Sequence, residues 1–90
     1  MKLIVETFGE IGKIPNLAEL MPEENRIVGE LKREGVVEQL FLKDGAKGAF
    51  FVCGETDKTK VDAALQRLPF YPHFDKIEMT LVKEFEWPKA

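Results

Sequence analysis

Hydrophobic and polar residues alternate along several segments of the chain, as they do in β-strands. Lys2 to Phe8 and Asp75 to Phe85 alternate, while Val36 to Lys43 and Gly48 to Glu55 are rich in strand-forming residues. Between the last two segments, Asp44-Gly45-Ala46-Lys47 carries the Asp-Gly pair typical of tight turns. The pattern therefore predicts four strands, of which the middle two form an antiparallel hairpin.

A helical period of apolar residues separates the first strand from the hairpin. Apolar side chains recur at helical spacing from Leu17 to Leu31, and Asn16 stands where a capping box would begin. Pro22 cannot donate the amide hydrogen bond of a helix interior, so it predicts either a kink or a restart. The two glutamates that follow it favour a restart. Gly35 offers a left-handed C-cap, so the helix is predicted to end at about Glu34.

A second helix is predicted after the hairpin. Asp57 or Thr56 can cap its start, and Pro69 and Pro72 stop it. Its apolar residues keep the spacing of one helix face: Val61, Ala64, Leu65 and Leu68. This assignment completes the order β-α-β-β-α-β.

That order is the one found in the ferredoxin-like fold. We predict one α+β domain over residues 1–90, with a four-stranded antiparallel sheet and both helices on one face. The face of the sheet opposite the helices is called the open face below. Its predicted residues are Ile4, Phe8, Phe41, Phe51 and Val82, which are apolar, and Glu6, Gln39, Glu78 and Thr80, which are polar.

This mixed composition predicts that the open face is covered. It is too apolar to remain as one exposed patch and too polar to form a dry core. A second sheet resolves the conflict by closing a partly polar cavity, so we expect a homodimer or a higher symmetric oligomer. The rings of Phe85 and Trp87 lie beyond the last predicted strand and are expected to pack on a partner subunit or a helix.

Composition and charge exclude several classes of partner. Thirteen Lys and Arg against sixteen Asp and Glu give a formal charge of -3, which is the wrong sign for neutralising phosphates. Apolar runs fall well short of the roughly 20 residues that cross a bilayer. The first residues lack the pattern of a secretory signal. We therefore expect a soluble, cytoplasmic protein that binds neither nucleic acid nor membrane.

The RNA-recognition modules share this fold and provide a specific alternative. Lys47-Gly48-Ala49-Phe50-Phe51-Val52 has the opening Lys-Gly and the later Phe-Val of their strand 3 motif. Ala49, however, stands where an aromatic ring must stack on a base, and Ile4 stands where the companion motif needs a ring. The stacking platform is therefore missing, in agreement with the acidic charge.

Cys53 is the single cysteine of the chain, so no intrachain disulfide can form. No positive charge can be assigned beside it, and we expect a buried, inert thiol. One cysteine and one histidine, His73, cannot supply the ligands of a zinc site, so no metal is expected.

The most distinctive segment is Leu68-Pro69-Phe70-Tyr71-Pro72-His73-Phe74-Asp75. It resembles the end of muconolactone isomerase and its relatives, in which a Leu-Pro-aromatic-aromatic-Pro-Tyr turn leads into the closing strand. Met21-Pro22-Glu23-Glu24 and Gly35-Val36-Val37-Glu38-Gln39-Leu40 are also similar to that family. The resemblance spans about the whole domain. It implies a dimeric α+β barrel, often assembled into rings, and for the named enzyme a cofactor-free double-bond shift in a small acidic lactone.

Three features depart from that family. Glu6 stands where the family enzyme usually has a basic residue, and His73 replaces the tyrosine after the second proline. The segment between Pro22 and Gly35 is shorter than the family's long first helix. The loss of a basic residue would remove a charge that binds carboxylates, so the resemblance implies a different substrate or none.

Moving a double bond requires a base that removes a proton beside a carbonyl and an acid that returns it, and one carboxylate with a raised pKa can do both. Glu6 and Glu78, with less weight on Glu38, are the candidate carboxylates. His73 is a third candidate, because histidine titrates nearest to neutral pH and Asp75 could orient it. For each residue the competing interpretation is structural: a solvated or inter-subunit charge, or a histidine packed in a loop.

These residues lead to a functional prediction. We expect a muconolactone isomerase-like, cofactor-independent isomerase that acts on a small organic acid, lactone or ketone by proton transfer. Tyr71, Gln39, Thr80 and Phe51 are predicted to bind the substrate. The alternatives are a non-catalytic ligand-binding or accessory module, and a cofactor-free oxygenase of the same barrel architecture.

Overall fold

The structure is a computed structural model that describes residues 1–89. Its regular elements are β1 Lys2–Phe8, α1 Leu17–Arg33, β2 Val37–Leu42, β3 Gly48–Cys53, α2 Lys58–Leu65 and β4 Lys76–Val82. The predicted order is confirmed, and the predicted boundaries lie within a few residues of those observed. No helix in the described part of the chain is both long and apolar enough to cross a membrane.

The four strands form one antiparallel sheet in the order β2-β3-β1-β4. β1 is therefore central and pairs with both β3 and β4, so that Val5 lies between Phe51 and Met79. β2 and β4 are the edge strands. With two helices, this order gives an α+β fold with ferredoxin-like character, as predicted.

A single hydrophobic core lies between the sheet and the two helices. Leu3 and Val5 of the central strand are fully buried. The helices add Ile27, Leu31, Val61 and Leu65, which belong to the same buried cluster as the strand residues. Each fully buried aliphatic side chain stabilises the fold by roughly 1.5–3 kcal/mol. The shared core confirms that both helices cover the same face of the sheet.

Thr7 is the polar member of the central strand on this buried face. Its side chain is fully buried, and its hydroxyl accepts a hydrogen bond of 2.9 Å from the amide of Ala49. The same hydroxyl is 3.5 Å from the Ala49 carbonyl oxygen. A buried hydroxyl without such a partner would destabilise the core, so Thr7 fixes the contact between β1 and β3 as well as filling space.

The start of α1 differs from its prediction. The helix runs through Pro22 without interruption, so the predicted restart is wrong. Asn16 adopts a left-handed conformation with φ of 58° and makes no side-chain capping bond, so the predicted capping box is also absent. Instead, the Asn16 carbonyl accepts bonds of 3.0 Å from the amides of Glu19 and Leu20. Packing of the apolar stripe offsets the cost of an interior proline, about 3 kcal/mol.

The start of α2 and the hairpin turn agree with their predictions. The Asp57 side chain accepts hydrogen bonds of 2.9 Å from the Thr59 amide and 3.3 Å from the Lys60 amide. In the hairpin, Gly45 has a φ of 73°, a conformation that favours glycine. Local side-chain and backbone chemistry therefore determines both features.

Phe51 lies on the helix side of the sheet, so its predicted position on the open face is wrong. It is 2% exposed and belongs to the core cluster. Phe50, the adjacent residue, lies on the open face opposite Glu6. The segment Phe50 to Cys53 is apolar throughout and has no alternation from which to assign a face. Phe51 therefore cannot line a cavity on the open face.

Candidate functional site

The open face carries the predicted polar side chains in two rows that cross the strands. In one row, Glu6 lies opposite both Glu78 and Phe50, and Phe50 lies opposite Phe41. The next row contains Thr80, Ile4, Val52 and Gln39. Directly opposite residues on neighbouring strands are close enough for their side chains to interact. The fold therefore brings all four predicted polar residues onto one surface.

Lys43, just after β2, reaches over this surface to Glu6. Its Nζ lies 2.8 Å from Glu6 Oε2, and the two side chains are only 18% and 29% exposed. The same Nζ lies 3.7 Å from the ring centroid of Phe8 and 5.4 Å from that of Phe50. A cation is attracted both to a carboxylate and to the face of an aromatic ring. Thus a basic group occupies this region although residue 6 is acidic.

A second lysine approaches Phe8 from the edge strand β4. Lys76 Nζ lies 2.7 Å from Glu78 Oε1 and 5.4 Å from the ring centroid of Phe8. Both side chains are about half exposed or more, at 62% and 49%. We call Glu6, Phe8, Lys43, Lys76 and Glu78 the open-face cluster. Its lysines can bind an anion, and its carboxylates can accept a proton.

His73 lies apart from the open-face cluster. It is the last residue of the short turn Tyr71–His73 and is exposed. It lines a surface hollow of about 240 Å³. The other residues of this hollow are Glu10, Lys13, Ile14 and Asp75. His73 and Asp75 therefore line the same hollow, and none of its residues belongs to the cluster that contains Glu6 and Glu78.

Tyr71 also lies away from the open face and fastens the same turn to α2. Its hydroxyl donates a hydrogen bond of 2.9 Å to Asp62 Oδ1, and its ring stands edge-on to Phe74 with centroids 6.2 Å apart. The hydrogen bond to Asp62, followed by burial, raises the pKa of the Tyr71 phenol. Tyr71 packs against the core cluster, so its contacts here are structural.

A second candidate site lies on the helix side, between α1 and the strands β2 and β3. An apolar cavity of about 280 Å³ is present there, called the Glu24 cavity below. Its walls include Met21, Val28, Leu40, Phe51 and Phe70. Phe51 thus faces a cavity after all, although a different one from that predicted.

Glu24 is the charged residue of this cavity and is 6% exposed. Its Oε1 accepts a hydrogen bond of 3.0 Å from the Phe70 amide. Burial raises the pKa of the Glu24 carboxyl, and the Phe70 hydrogen bond partly opposes this shift. Oε1 thus has a backbone partner, and the Glu24 side chain forms part of the cavity wall.

The predicted burial of Cys53 is confirmed. It is fully buried in the core. Burial, with a smaller effect from the nearby Glu38 carboxylate, raises the pKa of its thiol to about 11. Thiolate is the reactive form of cysteine, so the expectation of an inert thiol is supported. Across residues 1–89, no cluster of three or more His, Cys, Asp and Glu side chains is placed to hold a metal ion.

Two residues of these sites, Lys43 and Glu24, were not predicted from the sequence, although the sequence pattern around each indicates where its side chain lies. Lys43 has the parity of Phe41 in β2, which points it toward the open face. Glu24 precedes Ile27, Val28 and Leu31 at helical spacing, so it belongs to the apolar stripe of α1. Its pairing with Glu23 after Pro22 suggested a helix start instead.

Neither a protein-family model nor a curated protein matches the chain. The resemblance to muconolactone isomerase therefore depends on the motifs themselves.

Proposed function

We propose that the protein binds a small organic acid on its open face and moves a proton on it without a cofactor, as a muconolactone isomerase-like enzyme. The observation that supports this proposal is Lys43, a partly buried cation placed between the Glu6 carboxylate and the Phe8 ring. The lactone or ketone of such an acid would fit the same surface, because apolar rings surround the charges.

Lys43 is the group that binds the ligand carboxylate in this proposal. It replaces the basic residue that strand 1 lacks, because it projects from the end of β2 to the same place. The Lys43 side chain is only 18% exposed, so its ammonium loses less interaction energy to water than that of a fully solvated lysine. Lys76, on the other side of Phe8, provides a second positive charge.

Glu6 and Glu78 are the proposed proton-transfer groups. They face each other across β1 and β4, so their carboxyl groups border the same ligand position. When the ligand carboxylate binds Lys43, it competes with Glu6 for the ammonium, and Glu6 becomes free to take a proton beside the carbonyl. The same carboxyl group then returns the proton at the shifted position, which regenerates the carboxylate, and Glu78, directly opposite, borders the position at which this transfer takes place. Gln39 and Thr80 in the neighbouring row supply polar contacts to the ligand.

A homodimer completes the proposed site. Phe41 is 54% exposed on the open face of the single chain. Packing two open faces together removes such rings from water and encloses the charged cluster in a partly polar cavity. Exclusion of water strengthens the interaction between Lys43 and an anionic ligand.

A non-catalytic ligand-binding module is the second candidate function. Both proposed proton-transfer carboxylates are already paired with lysines, Glu6 with Lys43 and Glu78 with Lys76. Paired carboxylates hold a cluster in shape without requiring any turnover. Binding of an acid without chemistry would use the same lysines.

The test of the proposal measures binding and proton transfer separately. Small unsaturated lactone acids are titrated into the protein in D₂O, and deuterium incorporation beside the ligand carbonyl is followed by NMR. Lys43→Met keeps the aliphatic stem and should abolish binding, whereas Lys13→Met, which changes an exposed lysine outside the open-face cluster, should not. Glu6→Gln or Glu78→Gln should lower the incorporation rate about a hundredfold or more while binding persists.

The possible results separate the two candidates. Binding that depends on Lys43 without any deuterium incorporation supports the accessory module. No binding of any acid by the wild-type protein, or equal binding by Lys43→Met, would refute both candidates.

A further inference from the structure

We infer that the Glu24 cavity is a second ligand site, separate from the open-face cluster, and that it binds a small apolar amine as its ammonium cation. Its location supports independence, because the cavity lies on the helix side of the sheet and the cluster lies on the open face. The two sites share no residue.

The charge of the cavity identifies the polar end of the ligand. Glu24 is the one ionisable side chain in its wall, and neither lysine nor arginine lines it. Among the ion pairs within residues 1–89, none includes Glu24. A buried carboxylate without a cation is costly, and an ammonium group placed beside it offsets that cost.

The Glu24 carboxyl is also positioned to receive a ligand. Oε1 accepts the hydrogen bond from the Phe70 amide, which fixes the orientation of the group, and Glu24 forms part of the cavity wall, where a ligand would meet a carboxylate oxygen. An ammonium group donates strong, charge-assisted hydrogen bonds to such an oxygen. Burial raises the pKa of this carboxyl in the empty protein, and a bound cation would lower it again.

The walls identify the rest of the ligand. They are almost entirely apolar, and the rings of Phe51, Phe70 and Phe74 are available to contact an alkyl or aryl group and its cation. The volume of about 280 Å³ is just below the range of about 300–1,000 Å³ typical of drug-sized ligands. A monoamine with a single ring or a short chain fits this size.

The same features exclude the ligand proposed for the open face. An organic acid would place its carboxylate next to Glu24 with no cation to separate the two charges. An acid therefore selects the lysines of the open face, and an amine selects Glu24. The opposite charge preferences allow each site to be tested without the other.

The experiment compares three probes with one carbon skeleton: 2-phenylethylamine, 2-phenylethanol and phenylacetate. Each is titrated at pH 7 into ¹⁵N-labelled full-length protein, and the amide signals of Phe51 and Phe70 are followed. The amine should shift both signals and bind about tenfold or more tightly than the alcohol. Phenylacetate, which selects the open face, should leave the Phe70 signal unchanged. A pH titration of ¹³C-labelled protein should show a lower pKa for the Glu24 side-chain carboxyl when the amine is bound.

Variants identify the groups that bind the amine. Glu24→Gln retains an oxygen for the Phe70 amide and should lower amine affinity about tenfold or more while changing alcohol affinity little. The matched control, Glu23→Gln, changes an exposed neighbour and should have no effect. Val28→Phe fills the cavity but leaves Glu24 intact, and should abolish binding of both probes. Lys43→Met should leave amine binding unchanged.

Several outcomes would overturn the inference. Equal affinity for amine and alcohol would show that Glu24 does not select a cation, and tighter binding of the alcohol would indicate a neutral ligand. Amine binding that survives Val28→Phe would place the amine elsewhere. If Glu24→Gln does not fold, as judged by circular dichroism, the comparison of probes on wild-type protein and Val28→Phe decides the question alone.

Discussion

At the scale of single residues, Glu24 is where stability and binding are in conflict. A hydrophobic residue at this position of the apolar stripe would avoid the desolvation of a carboxyl group. The hydrogen bond from the Phe70 amide compensates only part of that cost, because the pKa of Glu24 remains raised. A buried charge that weakens the fold is typical of functional positions, although structural networks also produce it.

The raised pKa of Glu24 predicts a specific pH dependence of stability. The folded protein holds the Glu24 proton more tightly than the unfolded chain, whose value is near 4.5. The contribution to the free energy of unfolding is therefore fully present below about pH 4.5 and is lost as pH rises through the folded-state pKa. Urea unfolding between pH 4 and 7 should show wild type losing stability relative to Glu24→Gln as pH rises.

Glu23→Gln is a control in which the pH dependence of stability should have the opposite direction. The side-chain hydrogen bond from Arg26 lowers the pKa of the exposed Glu23 carboxyl. The small contribution of Glu23 to the free energy of unfolding is present above the pKa of the unfolded chain. It is lost as pH falls through the lower pKa of the folded protein. If the stability difference from wild type changed with pH in the same direction for both variants, burial would not be the cause of the pH dependence assigned to Glu24.

Cys53 gives a second prediction at this scale. Because the thiol is fully buried and its pKa is about 11, alkylating reagents should modify it slowly in the folded protein and rapidly in urea. The loss of free thiol is measured with a chromogenic disulfide reagent. Equal rates in the two states would show that the thiol is accessible. Cys53→Ala should leave ligand binding at either site intact.

At the scale of elements, Gly48 sets the spacing between β1 and β3. It has a φ of 124°, and a Cβ at this position would lie 2.0 Å from the Thr7 carbonyl oxygen. Gly48→Ala should therefore destabilise the protein by several kcal/mol, because the backbone of one strand must move and the conformation is strained. The measurement is the midpoint of urea unfolding.

Gly12→Ala is the matched control for this substitution. A Cβ at Gly12 would meet no described atom within 4 Å, and its backbone is not in the left-handed region. The change should therefore be neutral or slightly stabilising. A similar loss of stability in both variants would contradict the steric explanation.

The elements were predictable wherever local chemistry determines them. Alternation identified β1 and β4, the Asp-Gly pair identified the hairpin, and Asp57 identified the start of α2. Tertiary packing overrode local chemistry in α1, where the apolar stripe keeps the helix intact through Pro22. The faces of β3 were not predictable, because an uninterrupted apolar segment fits either orientation.

The candidate site was predictable only in part. The parity of β1 and β4 placed Glu6 and Glu78 together, since alternation along paired strands determines a common face. Lys43 reaches the site across strands and Glu24 is buried by the turn that contains Phe70, so both depend on tertiary contacts. The family resemblance of the turn near His73 carried no information about which side chains meet.

At the scale of the whole molecule, the open face predicts assembly. We expect sedimentation to show a stable dimer at micromolar concentration, because Phe41 and its neighbours leave water when two open faces pack. Phe41→Asp should shift the equilibrium toward monomer. Leu42→Asp changes the next residue of the same strand, which points to the opposite face, and should leave the dimer intact. A monomeric wild-type protein would contradict the barrel and the enclosed site.

Pro22 has a consequence for the rates of ligand binding. Since it has no amide proton, the Ala18 carbonyl lacks its usual partner, and the first turn of α1 is held by one hydrogen bond fewer than the rest. The start of the helix around Ala18 carries Met21, which lines the Glu24 cavity. This part of the helix can therefore open locally while the sheet stays folded. Pro22→Ala should restore the bond, slow amide exchange in the first turn and lengthen the residence time of a bound amine. Unchanged exchange and release rates would show that the ligand leaves by another route.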